Sequence, residues 1–211
     1  MTATPEEQYI LQNWEEKFLN GDHSQDELCV DFFRKEVRDE DETPLLFQCV
    51  SNIKALNFLD ANGVNLLQRS IDGNTLLMEK TPDFETDAYR WLVEKFKERK
   101  AVDLADDEGI TPLSSMIKFG HIHKARILLE NGASVDSHAE IKRYGGAKLD
   151  IPTQAINCIA PGKSDQQTVA ISALALLQDF GWKATPEQKQ DLLDRTISQK
   201  PKVHAWIKSN L

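Results

Sequence analysis

The sequence predicts an all-α fold of the α-solenoid type, with about four degenerate helix–turn–helix units and a helical cap at each end. Three observations predict it. Helix-opening triplets recur at Thr43-Pro44-Leu45, Thr75-Leu76-Leu77 and Thr111-Pro112-Leu113. Apolar residues after each opening fall at three- and four-residue spacing, the period of one helix face. Asn62-Gly63 and Asn131-Gly132 close two of the units, the chemistry of a helix stop. A unit of about 33 residues cannot bury its own apolar stripe, so such units must stack.

The clearest unit is residues 106–136. Asp106 to Gly109 is turn chemistry, with Gly109 free to take a positive φ. Thr111 is placed to cap a helix, and Pro112 stands at its first position, where a missing N–H costs nothing. Leu113, Met116 and Ile117 give that helix one apolar face, and Gly120 ends it. Ile122, Ala125, Leu128 and Leu129 stripe a second helix, which Asn131-Gly132 stops. This segment resembles the ankyrin repeat. The resemblance rests on Asp106, Gly109, Thr111-Pro112-Leu113, Gly120-His121, Leu128-Leu129, Asn131-Gly132-Ala133 and Val135-Asp136. It departs at Ser114, where the family usually has a His that stiffens the turn; a less rigid unit is expected here.

The other elements follow in order. Thr4-Pro5-Glu6-Glu7 is a capping box, opening a helix whose inner side carries Ile10, Leu11, Trp14 and Phe18. A second helix is predicted over 25–37, with Leu28, Phe32, Phe33 and Val37 inward. Residues 1–38 lack the repeat signature and are assigned as the N-terminal cap, which a repeat array needs to cover its end. The repeats span 39–181, as 39–70, 71–105, 106–137 and 148–181. In the first, Asp41 stands where Gly109 stands in the third. In the second, extra length near Thr81-Pro82-Asp83-Phe84 predicts a longer inter-helix turn, and Tyr89, Leu92, Val93 and Phe96 face inward. Residues 138–149 break the period; Lys142-Arg143-Tyr144-Gly145-Gly146 is expected to be a flexible basic insertion. In the fourth unit Ala155 and Ile156 face in, Ser164 with Gln167 forms a second capping box, and Val169, Ala173, Leu176 and Leu177 form a stripe. Residues 182–211 are the C-terminal cap. It holds a third capping box at Thr185-Pro186-Glu187-Gln188, a helix with Leu192, Leu193 and Ile197 inward, and a last helix from Pro201 with Val203 and Ile207. The whole is expected to be one continuous domain.

Composition narrows the function. The 211 residues are 40% hydrophobic and 28% charged, with a formal net charge of −9. Residues 1–42 carry thirteen acids and four bases, so the acidity sits at one end, while residues 182–211 are mildly basic. Nucleic-acid binding is disfavoured, because phosphate neutralisation needs a basic face; a basic protein partner fits better. No apolar run approaches a membrane span. The opening Met-Thr-Ala-Thr-Pro-Glu-Glu lacks the layout of a signal peptide. Cys29, Cys49 and Cys158 form neither a disulfide framework nor a zinc spacing. Small core side chains in a reducing, cytoplasmic setting are expected.

Candidate chemistry is thin. Pro161-Gly162-Lys163-Ser164 has the ending of a phosphate-binding loop, but Asn157 stands where that loop needs its first Gly. His121 and His123 are two apart, on different faces of a helix, which disfavours a metal. Trp14, Trp91, Trp182 and Trp206 are spread over predicted helices and suit packing better than a ligand cage. No catalytic residues, cofactor or metal ligands are assigned.

What the ankyrin resemblance implies is a partner-binding concave surface built from turn tips and first helices. In the first repeat it maps to Asp39, Glu40 and Glu42, and in the second to Ile71, Asp72 and Asn74. In the third it maps to Asp107, Glu108, Ile110, Lys118 and Phe119. Acids predominate, with Lys118 the one base, and Ile71, Ile110 and Phe119 supply apolar contact; such a mixture gives an interface both affinity and fast encounter. The expected function is non-catalytic binding of a basic protein, by a chain monomeric on its own, as an inhibitor or immunity protein of a toxin or enzyme. One alternative is an effector of an intracellular bacterium acting on a host protein. The other is an enzyme with its site in 138–165, around residues 142–144 and Lys163.

Overall fold

In the computed structural model, residues 3–79, 86–141, 146–157 and 164–211 are described. The expectations for residues 81–84, 142–145, Cys158 and residues 161–163 lie outside them. The chain divides into two compact units, Met1–Ala101 and Val102–Leu211.

The first unit opens with α1 (Pro5–Leu19) and α2 (Asp26–Arg34). The predicted capping box is present: the Glu7 N–H donates to Thr4 Oγ1 at 3.3 Å, and the Thr4 N–H donates to Glu7 Oε2 at 2.7 Å. Trp14, 1% exposed, is the packing centre. It stacks on Phe18 at 5.1 Å and meets Phe33 edge-on at 5.4 Å, while its Nε1 donates to Asp26 Oδ1 at 2.9 Å. The inward face of α2 is Cys29, Val30 and Phe33, and Leu28, expected inside, is exposed. The helix is also shorter than expected, because Glu36 turns the chain with φ +53°.

The first repeat comprises a 3₁₀ turn at Leu45–Cys49 and α3 (Ile53–Ala61); the second comprises a 3₁₀ turn at Leu76–Met78 and α4 (Thr86–Glu98). Their opening helices are thus single tight turns. One pair of backbone bonds recurs inside each turn and shows which positions correspond from repeat to repeat. The Glu42, Gly73 and Gly109 N–H groups donate to the carbonyls of Asp39, Ser70 and Asp106, and those three residues' N–H groups donate to the carbonyls of Thr43, Asn74 and Ile110. Glu42, Gly73 and Gly109 all have positive φ. The position equivalent to Thr75 and Thr111 is therefore Pro44, one residue past the expected Thr43. Inside the repeats Tyr89, Leu92, Val93 and Phe96 are buried as predicted. Both helical endings repeat one pattern: Gly63 and Lys100, at φ +76° and +57°, donate to the carbonyls of Asp60 and Lys97.

The second unit holds α5 (Pro112–Phe119) and α6 (Ile122–Glu130), strands β1 (His138–Ile141) and β2 (Ala147–Asp150), then α7 (Ile151–Asn157), α8 (Ser164–Asp179), α9 (Pro186–Thr196) and α10 (Pro201–Asn210). Thr111 caps α5 by accepting the Ser114 N–H at 3.3 Å, and Gly120 ends it at φ +77°. The Ser114 hydroxyl, at the position the family gives to His, is buried without a partner. The helix stripes are as predicted with two corrections. In α8 the buried row is Ala170, Ala173, Leu174, Leu176 and Leu177, and Val169 is exposed. In α9 Thr196 takes the inward position, bonding Leu192 O at 2.8 Å, and Ile197 is 68% exposed. The Thr185–Gln188 capping box is present, as is the helix start at Pro201.

The insertion departs most from expectation. Its described ends pair as an antiparallel hairpin, with His138 opposite Asp150 and Ile141 opposite Ala147. The hairpin lies over the third turn: the Glu140 N–H donates to Glu108 O at 3.1 Å, and Ile110 packs with Ala139 and Leu149.

Candidate functional site

The sequence-predicted surface residues separate into three groups. In the first unit, Glu40, Glu42, Ile71 and Asp72 are exposed at the two turn tips, Ile71 to 66%. Asp39 instead builds its tip: its Oδ1 accepts the N–H groups of Asp41 at 3.0 Å and Thr43 at 2.9 Å. Asn74 is half-buried, and its backbone N–H donates to Ser70 Oγ at 3.1 Å.

Two arginines hold these tips. Arg38 donates to its own tip through Glu42 O at 2.6 Å and to the neighbouring segment through Arg69 O at 2.9 Å. Arg69 repeats the first contact one unit later, donating to Gly73 O at 2.8 Å. Asp39, Glu40, Asp41, Glu42 and Asp72 outnumber Arg38 and Arg69 here, so the two tips carry net negative charge. Arg38 opens an acidic run and Arg69 does not, and nothing in the sequence shows that either donates to backbone.

In the second unit the third tip is different. Asp107 is exposed and Glu108 half-buried. Asp106 Oδ1 accepts from the Glu108 N–H at 2.9 Å and the Ile110 N–H at 2.8 Å. Burial holds the Asp106 carboxyl above its ordinary value, against those two hydrogen bonds. Ile110 does not belong to an exposed surface: it is 9% exposed beneath the hairpin. Lys118 and Phe119 sit at the end of α5, with the Lys118 ammonium 5.5 Å from the Phe119 ring centre. Phe119 is 44% exposed and shares a shallow groove with Val169 and Ala155.

A larger concavity, about 450 Å³, lies between the base of the hairpin and α9 and is lined by Asp136, His138, Asp150, Trp182, Gln188, Asp191 and Arg195 among others. Sequence reasoning missed it, because its walls are gathered from the third repeat, the insertion and the C-terminal cap. Among the described residues no grouping of His, Cys, Asp and Glu is arranged to hold a metal ion. Cys29 and Cys49 are buried free thiols; burial pushes the Cys29 thiol up to about 12 and Cys49 upward as well. Among the described residues no helix is long and apolar enough to cross a membrane.

The fold is that of an ankyrin-repeat domain. The chain is similar to the crystal structure of an ankyrin repeat domain from Acinetobacter baumannii AYE, with a TM-score of 0.59, 17% identity, and coverage of 96% of this chain and 97% of that one. No protein-family model matches the chain, and no curated protein does. At 17% identity the likeness carries the architecture alone.

Proposed function

We propose that the chain is a non-catalytic protein-binding module that grips a basic partner through the turn tips of its first unit, with Ile71 as apolar anchor and Glu40, Glu42 and Asp72 as the charged rim. The observation that carries this reading is Ile71, an aliphatic side chain two-thirds exposed beside acidic residues on arginine-braced tips. Large apolar groups on a rigid turn are recognition anchors when a charged rim surrounds them. A rim of one sign speeds encounter with a partner of the other. Asp107, Glu108, Lys118 and Phe119 are secondary candidates in the second unit. Inhibition of a basic toxin or enzyme, with the chain as its immunity protein, is the finer form of the proposal and rests on charge and size.

The experiment is retention of partners by the full chain and by its Glu40→Lys, Glu42→Lys, Asp72→Lys triple variant. A basic protein retained by the wild type and lost by the variant supports the reading. Equal retention, or an unchanged salt dependence of affinity, overturns the acidic rim. For the inhibitor form, the retained protein's own activity must fall to zero at one-to-one stoichiometry.

A further inference from the structure

We infer that the concavity between the hairpin base and α9 is a binding site for a cationic side chain, an arginine or lysine presented on a polypeptide. Its volume, about 450 Å³, is in the range of pockets that enclose a ligand rather than a passing solvent molecule. Two features of the lining select the ligand. The first is charge. Asp136, Asp150 and Asp191 line it together with one guanidinium, that of Arg195, and one imidazole, that of His138, and Arg195 Nε donates to Asp191 Oδ2 at 2.6 Å. The site thus carries uncompensated negative charge, and the Asp136 carboxylate is exposed.

The second is preorganisation. Asp150 Oδ1 accepts the Thr153 N–H at 2.9 Å, and its Oδ2 accepts Gln188 Nε2 at 2.9 Å. Gln188 is itself held by the Thr185 N–H, which donates to its Oε1 at 3.0 Å. A carboxylate has about four acceptor positions, so Asp150 keeps capacity for an incoming donor without moving. Trp182, 4% exposed, adds a rigid aromatic wall, and aromatic rings attract cations, Arg above all. The space exceeds what one small amine fills, which favours a side chain delivered with its flanking backbone over a free diamine. This inference is independent of the turn-tip reading, whose residues belong to the other unit.

The test is a two-dimensional NMR titration of the full chain, following the Trp182 indole resonance. The ligands are an end-blocked alanine pentapeptide with a central arginine, the same peptide with citrulline, and agmatine. The arginine peptide should shift the Trp182 signal saturably, and the citrulline peptide should bind at least about tenfold more weakly. Asp136→Asn should weaken the arginine peptide by roughly fivefold, the upper end for a solvated ion pair. Arg195→Gln removes the competing cation and should tighten binding several-fold, an outcome that a damaged fold cannot imitate. No shift with the arginine peptide, equal binding of citrulline, or no gain in Arg195→Gln overturns the site. Agmatine binding as tightly as the peptide overturns the polypeptide source.

Discussion

Lys100→Gly should stabilise the protein. Lys100 ends α4 with φ +57°, whereas Gly63, Gly132 and Gly181 have φ of +76°, +92° and +96°. At all four, the N–H donates to a carbonyl three residues back and the next residue's N–H reaches five back. The positions are therefore the same helix ending, and of these four only Lys100 carries a Cβ; Glu36, with the same two bonds at φ +53°, shares that strain at the end of α2. A left-handed backbone costs an L-residue roughly 1–2 kcal/mol, and removing the side chain loosens the unfolded chain by about 0.4–1 kcal/mol. The net gain is roughly 0.5–1 kcal/mol, or about 1–4 °C in melting temperature for a chain of this length. Lys100→Ala is the control: it loses the same charge and keeps the strain. Urea denaturation should show a higher midpoint for Lys100→Gly than for Lys100→Ala at equal slope. Equal midpoints would refute the claim that left-handed strain is held at this residue.

Trp14→Phe should cost about 2–3 kcal/mol in urea denaturation, combining a lost hydrogen bond to Asp26 with a cavity beside Phe18 and Phe33. Asp106→Asn keeps an oxygen for the Glu108 and Ile110 N–H groups and removes a half-buried charge. Since the folded carboxyl lies above its ordinary value, its protonated form favours folding, and that stability is lost as pH rises through the folded value. The variant should gain on the wild type across that window, read as the difference of two denaturation series against pH; a constant difference would contradict it. Peptide mapping after iodoacetamide treatment should find Cys29 labelled far more slowly than in the unfolded chain, because its side chain is fully buried and that burial pushes the thiol up to about 12.

Legibility differed by mechanism. Residues 106–136 were readable because each signal acts locally: Asp106 bonds two residues on, Thr111 caps its own helix, and Gly120 ends it. At the first repeat the same kind of signal misled by one residue. Thr43-Pro44-Leu45 copies the letters of Thr111-Pro112-Leu113, but the turn bond from the Asp39 N–H to Thr43 O puts Pro44 at the capping place. Burial errors were of a similar size. Leu28, Val169 and Ile197 all lie one residue from the positions that point inward, Cys29, Ala170 and Thr196, a misphasing that short stripes permit. The hairpin was illegible because His-Ala-Glu-Ile and Ala-Lys-Leu-Asp carry little of the β-branched and aromatic enrichment that marks strands. Ile110, an expected contact residue, was lost to it. Among the tip residues side-chain exposure separates the proposed anchor from the residue that builds its turn: Ile71 projects, while Asp39 is consumed by its own turn.

The hairpin also alters how the second unit should come apart. Repeats in a linear array are coupled only through the faces they share, and opening at one joint leaves its neighbours intact. Here β1 is tied to the third turn through Glu108, and β2 runs directly into α7, whose first turn Asp150 caps. The strap is a second linkage in parallel with the stacked helices. Amide exchange in α5 and α7 should therefore report one shared opening event, and severing the strap should make the fourth repeat fray alone.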